Sequence, residues 1–151
     1  SIDNAVTKNM AIFAKLEKTY ADFTLSLGAR YDDTKITNDS YQSDDYSSLG
    51  LNIMSKYNLN KDNKLFLGIG QASRVPDARE LYFFGSMGNL VGTTNLKKTT
   101  NSEIDLGYET DNDNFKFKVK AFYSSLKDHI YYFSRNKNGI GMPVNSFKNI
   151  D

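Results

Sequence analysis

The chain has 151 residues, a formal net charge of +1 and 39% hydrophobic residues. The near-zero charge gives no argument for a nucleic-acid partner, and the absence of Cys excludes a disulfide framework or a thiolate metal site within this sequence. No run approaches the about 18 consecutive apolar residues of a membrane-spanning helix. Aromatic residues make up 13% of the chain, which is typical of β-strands.

Apolar residues recur at every second position in the first half of the chain, which predicts strands near 9–17, 22–35, 47–58 and 64–72. In the second strand, Phe23, Leu25 and Leu27 share one face, and polar residues or Gly28 occupy the other. Pairing Leu16 with Phe23 keeps the apolar faces of the first two strands together. A slip by one residue would mix the two faces.

The fifth and sixth strands form the strongest predicted hairpin, around a turn at 111–114. Centring the turn on Asn112 and Asp113 places Tyr108 opposite Phe117 and Leu106 opposite Val119. The same register places Glu109 opposite Lys116 and Asp105 opposite Lys120. One register therefore satisfies both faces of the hairpin.

Short turns alternate with long connections along the chain. The turns fall near 18–21, 60–63 and 111–114, and the long connections near 36–46, 73–101 and 133–145. This rhythm is typical of a transmembrane β-barrel. We therefore predict an all-β, antiparallel up-and-down meander that forms a segment of such a barrel. Because the sequence opens without Met and closes inside a strand, we interpret it as one internal piece of a longer protein.

The charged face of the meander decides which architectures can accommodate it. A packed sandwich core could not take this face, because buried unpaired charges are costly. A water-filled or plugged lumen could take it, and so could the solvated outer face of a soluble antiparallel sheet. On the barrel reading, the lumen-facing residues are Arg30, Glu103, Asp105, Glu109, Lys116, Lys118 and Lys120.

Segment 68–82, whose second half reads S-R-V-P-D-A-R-E-L-Y, resembles the S-x-x-F-R-x-P-x-x-x-E-L-Y segment of TonB-dependent outer-membrane receptors. Five further segments resemble that family in its own order: 27–32, 92–97, 102–109, 121–130 and 145–151. Together the six segments are spread over residues 27–151, which is nearly the whole length of the chain. Val75, Thr99 and His129 depart from the family pattern.

The resemblance implies a bacterial outer-membrane barrel that imports a scarce ligand, most often a ferric siderophore and sometimes haem, cobalamin or another metal complex. It implies outer-membrane lipid as a partner, and energy from the TonB complex through an N-terminal part. That part, the plug and the TonB box, is not in this sequence. No enzyme activity, catalytic residue or cofactor is implied.

The longest connection contains most of the candidate ligand-binding residues, since structureless loops of more than about 12–15 residues are usually functional or disordered. The alternative is an Arg–carboxylate network that fastens this connection to the barrel wall. His129 is the only His, and without a second His or a Cys it has no complete metal-ligand set. Met87 and Met142 are thioether groups that could bind copper, but scattered loop Met residues are usually incidental. The candidates are Arg74, Asp77, Arg79, Glu80, Tyr82 and His129.

Two other functions remain open at this point. A passive outer-membrane porin or adhesin would share the alternation and the loop rhythm. A soluble β-sandwich or lipocalin-like binding module would instead bury the face that carries Leu25, Leu27, Leu106 and Val119. If the barrel reading holds, the isolated chain has two open edges, and we expect edge-to-edge self-association, a closed oligomer or a detergent requirement.

Overall fold

The computed structural model describes residues 4–39, 43–85, 90–137 and 143–151. Within them, eight strands and one short helix follow in chain order: β1 (Val6–Tyr20), β2 (Phe23–Thr37), β3 (Ser43–Asn58), β4 (Asn63–Arg74), α1 (Ala78–Tyr82), β5 (Thr99–Asp111), β6 (Lys116–Lys127), β7 (His129–Lys137) and β8 (Pro143–Ile150). Strands β1 to β6 form one antiparallel sheet in sequence order, and β7 pairs with β8. The predicted all-β meander is confirmed.

No helix among these residues is long and apolar enough to cross a membrane.

Two of the short turns are built by local side-chain acceptors. Asn60 Oδ1 accepts hydrogen bonds from the backbone N–H groups of Asp62 and Asn63, both at 3.0 Å. Asn112 Oδ1 does the same for Asn114 and Phe115. Asn is favoured in turns because its side chain can replace a backbone acceptor in this way.

Two predicted registers are wrong, although the predicted faces are right. Leu16 pairs with Leu27 rather than Phe23, because β1 continues to Tyr20 and the turn contains only Ala21 and Asp22. In the β5–β6 hairpin, Tyr108 pairs with Val119 rather than Phe117. In both hairpins the register is displaced by an even number of residues, so each side chain stays on its predicted face.

The same shift changes the charge pairs of the β5–β6 hairpin. Glu109 lies opposite Lys118 rather than Lys116, and Asp111 is the residue opposite Lys116. Asp105 lies opposite Phe122 and reaches Lys120 diagonally, with Asp105 Oδ1 and Lys120 Nζ 2.9 Å apart. The turn causes the shift, because it spans 112–115 and therefore lies one residue further along the chain than the predicted turn at 111–114.

The long connections are shorter and more ordered than predicted. Strand β2 runs to Thr37 and β3 starts at Ser43, so the predicted connection 36–46 is mostly strand. Similarly, β7 and β8 occupy both ends of the predicted connection 133–145. The connection between β4 and β5 contains α1.

The sequence predicts six strands and a last one at the chain end, and the eighth strand of the structure arises at Asp128. Its φ of 54° is a left-handed conformation that interrupts the run from Lys116 to Lys137. As a result, β6 pairs with β5, while β7 pairs with β8. Asp is among the few non-Gly residues that tolerate this backbone conformation.

The apolar face of the six-stranded sheet carries a continuous band of exposed side chains. At the short-turn end, pairwise register aligns one row across the strands, consisting of Tyr20, Phe23, Tyr57, Leu65 and Tyr108. Along β2 the band runs from Phe23 to Tyr31, and it ends at Asp33 and Lys35. This length is close to the about 9–11 residues with which a tilted strand crosses a bilayer.

The apolar face is exposed, whereas the soluble-sandwich alternative predicts that it is buried. Leu27, Leu106 and Val119 are 38%, 57% and 51% exposed. A sandwich would cover these side chains with a second sheet, and among the described residues no second sheet does so. The core lies instead on the opposite, polar face.

Candidate functional site

The connection between β4 and β5 folds onto the polar face of the sheet. Its described residues, 75–85 and 90–98, are called the strap below. Leu81 and Leu96 of the strap pack with Ile36 of β2 and Ile130 of β7, and all four are buried. Ile36 follows the alternation of the polar face, so this small hydrophobic cluster joins the strap to the same face that carries the charges.

Helix α1 of the strap has a well-defined start. Asp77 is the N-cap residue, and its side chain accepts from the Glu80 backbone N–H at 2.8 Å. Glu80 in turn accepts from the Asp77 backbone N–H at 2.9 Å, which completes a capping box. Arg74, the last residue of β4, donates two hydrogen bonds to the Glu80 carboxylate, at 3.0 and 2.9 Å.

Polar contacts attach the strap to β2 and β3. The Tyr82 hydroxyl donates to the carboxylate of Asp44 and contacts the carbonyl oxygen of Ile36. Burial and the hydrogen bond to Asp44 raise the pKa of Tyr82 above its usual range. On the other side of the cluster, the Tyr46 hydroxyl donates to the carbonyl oxygen of Leu96 at 2.8 Å.

A second set of contacts attaches the strap to β8. The Val91 backbone N–H donates to the carbonyl oxygen of Asn145 at 2.9 Å. The Thr93 hydroxyl lies 2.8 Å from the Ser146 hydroxyl. The Asn149 side chain accepts from the Lys97 N–H at 2.8 Å and donates to the Lys97 carbonyl at 3.0 Å. The strap therefore bridges the β2–β3 hairpin and the β7–β8 hairpin, which belong to different sheets.

Gly92 permits the close contact between the two arms of the strap. A Cβ atom at this position would lie 2.5 Å from the carbonyl oxygen of Leu81, which is backbone and cannot rotate away. The Gly92 N–H donates to the carbonyl oxygen of Phe83 at 2.6 Å. This is the strap contact in which the lack of a side chain matters most.

The structure brings most of the predicted ligand-binding residues together, and most of them already have partners. Arg74, Asp77 and Glu80 form the network at the start of α1, and Tyr82 is bound to Asp44. Arg79 is exposed, and its guanidinium lies 5.2 Å from the centre of the Phe83 ring.

His129 lies apart from this network. It is the exposed first residue of β7, opposite Ile150. Its neighbour Asp128 has its carboxylate 3.6 Å from Lys97 Nζ. In the described part of the chain, no group of three or more His, Cys, Asp or Glu residues could hold a metal ion. Met87 and Met142 lie outside the described residues.

A cleft of about 560 Å³ lies between the strap and the polar face. Arg30 and Asp32 form an ion pair in its wall, with 2.7 Å between the guanidinium and the carboxylate. The side chains of Asn9, Thr34 and Ser48 also line it. The cleft is thus bordered by hydrogen-bonding side chains of the sheet on one side and by apolar side chains of the strap on the other.

The other residues predicted to face a lumen lie on the same polar face, nearer the short turns. Lys116, Lys118 and Lys120 pair with Asp111, Glu109 and Asp105, at 2.6, 3.5 and 2.9 Å between the charged atoms. Glu103 lies opposite Gly70 in the same face.

Sequence reasoning missed the residues that hold the strap, chiefly Ile36, Asp44, Tyr46 and Leu96. Ile36 carried a usable signal, because it is an apolar residue at a polar-face position near the end of a strand. Ile130 repeats that signal beyond the break at Asp128. Two such exceptions to the alternation indicate a second, smaller core on the polar face.

The β-barrel model of the TonB-dependent receptor-like family matches residues 1–151. The chain belongs to this family. Its members are transporters, not enzymes, and they lie in the outer membrane of Gram-negative bacteria. No curated protein matches the chain.

Solved structures share the fold of this segment. The copper transporter OprC superimposes with a TM-score of 0.82 at 20% identity, over 97% of this chain and 24% of that one. A double mutant of the Serratia marcescens hemophore receptor HasR, in complex with its hemophore HasA and heme, gives 0.81 at 17% identity, over 95% of this chain and 29% of that one. The FrpB iron transporter from Neisseria meningitidis gives 0.72 at 17% identity, over 99% and 22%. The chain therefore spans about a quarter of the length of these structures.

Proposed function

We propose that this chain is part of the wall and ligand entrance of an outer-membrane active transporter. The transporter takes up a scarce ligand, a ferric siderophore or another metal complex, with energy transmitted by the TonB complex. The observation that carries this proposal is the match of the receptor β-barrel model to the whole chain. The similar structures are described as copper, iron and hemophore–heme receptors or transporters, which supports a metal-containing ligand.

On this proposal, the two faces of the sheet have different surroundings. The apolar face contacts lipid, because it carries an exposed apolar band of membrane-spanning length. The polar face lines the interior, where water or the plug can solvate its ion pairs. Arg30, Glu103, Asp105, Glu109, Lys116, Lys118 and Lys120 then line the path of the ligand.

The strap occupies the ligand entrance at the end of the sheet away from the short turns. In transmembrane β-barrels of the bacterial outer membrane, short turns are periplasmic and longer loops are extracellular. The strap and the cleft beneath it would therefore be reached from outside the cell. A passive porin shares the alternation but gives no reason for a match to the receptor family, and no contact in the described residues favours it.

The test uses the full-length receptor in its host. Deleting the gene should abolish uptake of at least one radiolabelled ferric chelate under iron limitation, and a plasmid copy should restore it. Dissipating the proton-motive force should also stop uptake, because active import depends on it. Uptake that persists without an energised inner membrane would support a passive pore and contradict the proposal.

A further inference from the structure

We propose that Arg79 is the cation of the strap that contacts the ligand, and that it selects a chelate with anionic oxygen atoms. This inference rests on the proposed transport function. It separates Arg79 from the other charged residues of the network, which have structural partners within the chain.

The orientation of α1 is fixed from several sides. Ala78, Leu81 and Tyr82 follow the i, i+3, i+4 spacing of one helix face and pack against the buried cluster on the polar face of the sheet. The capping box fixes the start of the helix. The hydrogen bonds from the Arg74 guanidinium to Glu80 connect that start to β4. Little freedom of rotation remains for the helix.

Arg79 lies on the opposite side of this helix. It precedes Leu81 by two residues, which is about 200° of rotation at about 3.6 residues per turn. Leu81 is 1% exposed, whereas Arg79 is exposed. Because Leu81 faces the wall, Arg79 extends away from the wall and into the space that the polar face borders.

Among the charged residues of this network, Arg79 has no ion-pair partner in the described part of the chain. Glu80 is bound to Arg74 and to the Asp77 backbone, and Asp77 is used as the helix cap. Within the part of the chain that the structure describes, no carboxylate lies within 4.0 Å of the Arg79 guanidinium. The Arg79 guanidinium lies over the Phe83 ring, 5.2 Å from the ring centre.

The contact with the Phe83 ring prepares Arg79 for binding. An aromatic ring beneath a guanidinium holds its plane and leaves the N–H groups at its edge available. Those N–H groups form a planar fork that matches carboxylate or other paired anionic oxygens in a bidentate geometry. Direct metal ligation is a poor alternative, because the described residues offer no cluster of His, Cys or carboxylate groups.

The experiment measures equilibrium binding to the full-length receptor in detergent. The probes are two anionic complexes, ferric citrate and a ferric tris-catecholate, and one cationic complex, ferrioxamine B. Arg79→Gln should weaken binding of the anionic probes about tenfold or more, as expected for a lost charge-assisted hydrogen-bond pair. Arg79→Lys should lose part of the affinity, since it keeps the charge without the fork.

Lys61→Gln is the matched control. It removes the same charge from an exposed turn residue at the other end of the sheet, and should leave binding unchanged. Amide exchange within α1 should be the same in Arg79→Gln and the unmodified receptor, which shows that the strap stays folded.

The other outcomes are distinguishable. Unchanged affinity of Arg79→Gln for the anionic probes would overturn the assignment of Arg79. A receptor that binds only ferrioxamine B would also overturn it, while leaving the transport function standing. A receptor that binds none of the three chelates would overturn the assignment of Arg79, and the energy dependence of uptake then decides the transport function separately.

Discussion

Single residues divide into those that hold the strap and those that remain exposed. Arg74 and Glu80 hold it through two parallel hydrogen bonds, and the Glu80 side chain is only 14% exposed. From the sequence alone, both looked like ligand contacts as much as structural partners, because a charged motif has the same composition in either role. The structure gives them partners within the chain.

A double-mutant cycle on Arg74→Ala and Glu80→Ala tests this pairing. The coupling energy for opening of the strap should be about 1 kcal/mol, the upper part of the range for a partly exposed ion pair. Amide exchange of the strap residues in the full receptor gives the opening free energies. Additive effects of the two substitutions would show that the Arg74–Glu80 pair contributes nothing to the free energy of strap opening.

Leu81→Ala addresses the apolar part of the same attachment. The substitution leaves a cavity between the strap and the wall. Truncation of a buried Leu to Ala lowers stability by about 2–5 kcal/mol, and the free energy of strap opening should fall by this amount. Exchange of amides in 77–85 and 90–98 should accelerate accordingly. Leu67→Ala, which changes the apolar face of the sheet instead, should leave strap exchange as it is. Equal effects of the two substitutions would contradict the cluster around Ile36.

Elements were predictable to different degrees. The alternation identified each strand of the six-stranded sheet and the face of its side chains, because a period of two residues is a local property. It could not fix the hairpin registers, since a shift by two or four residues keeps the same faces together. The position of the strap could not be predicted for another reason. Its core is formed by side chains from four separate segments that only the fold brings together, namely Ile36, Leu81, Leu96 and Ile130.

Gly92→Ala tests the packing between the two arms of the strap. The Cβ of the introduced alanine would lie 2.5 Å from the Leu81 carbonyl oxygen, so the two arms must separate. This separation should lower the stability of the strap by about 1–3 kcal/mol. Gly50→Ala is the control, because its nearest neighbouring atom is 3.5 Å away. Limited proteolysis of the full receptor should cleave within the strap faster in Gly92→Ala only. Equal protection of both variants would contradict the close contact.

At the scale of the whole molecule, the two faces of the sheet should respond differently to charge. Ile53 and Met54 are neighbours in β3 with similar exposure, 46% and 52%, but they lie on opposite faces. Ile53→Lys places a charge against lipid and should destabilise the folded barrel by about 2–4 kcal/mol if it lies near the bilayer centre. Met54→Lys should have a much smaller effect. Denaturant titration of the full receptor in lipid vesicles gives both values.

The most direct test of the account is the environment of β3 in a lipid bilayer. Spin labels are placed one at a time, through Cys substitutions, at positions 49–54 of the full-length receptor, and their collisions with oxygen and with a water-soluble nickel complex are measured. Oxygen, which concentrates in lipid, should reach 49, 51 and 53 preferentially, and the even-numbered positions should be low in oxygen collisions. The same accessibility at odd and even positions, or oxygen maxima at 50, 52 and 54, would contradict the assignment of the apolar face to lipid and of the polar face to the interior.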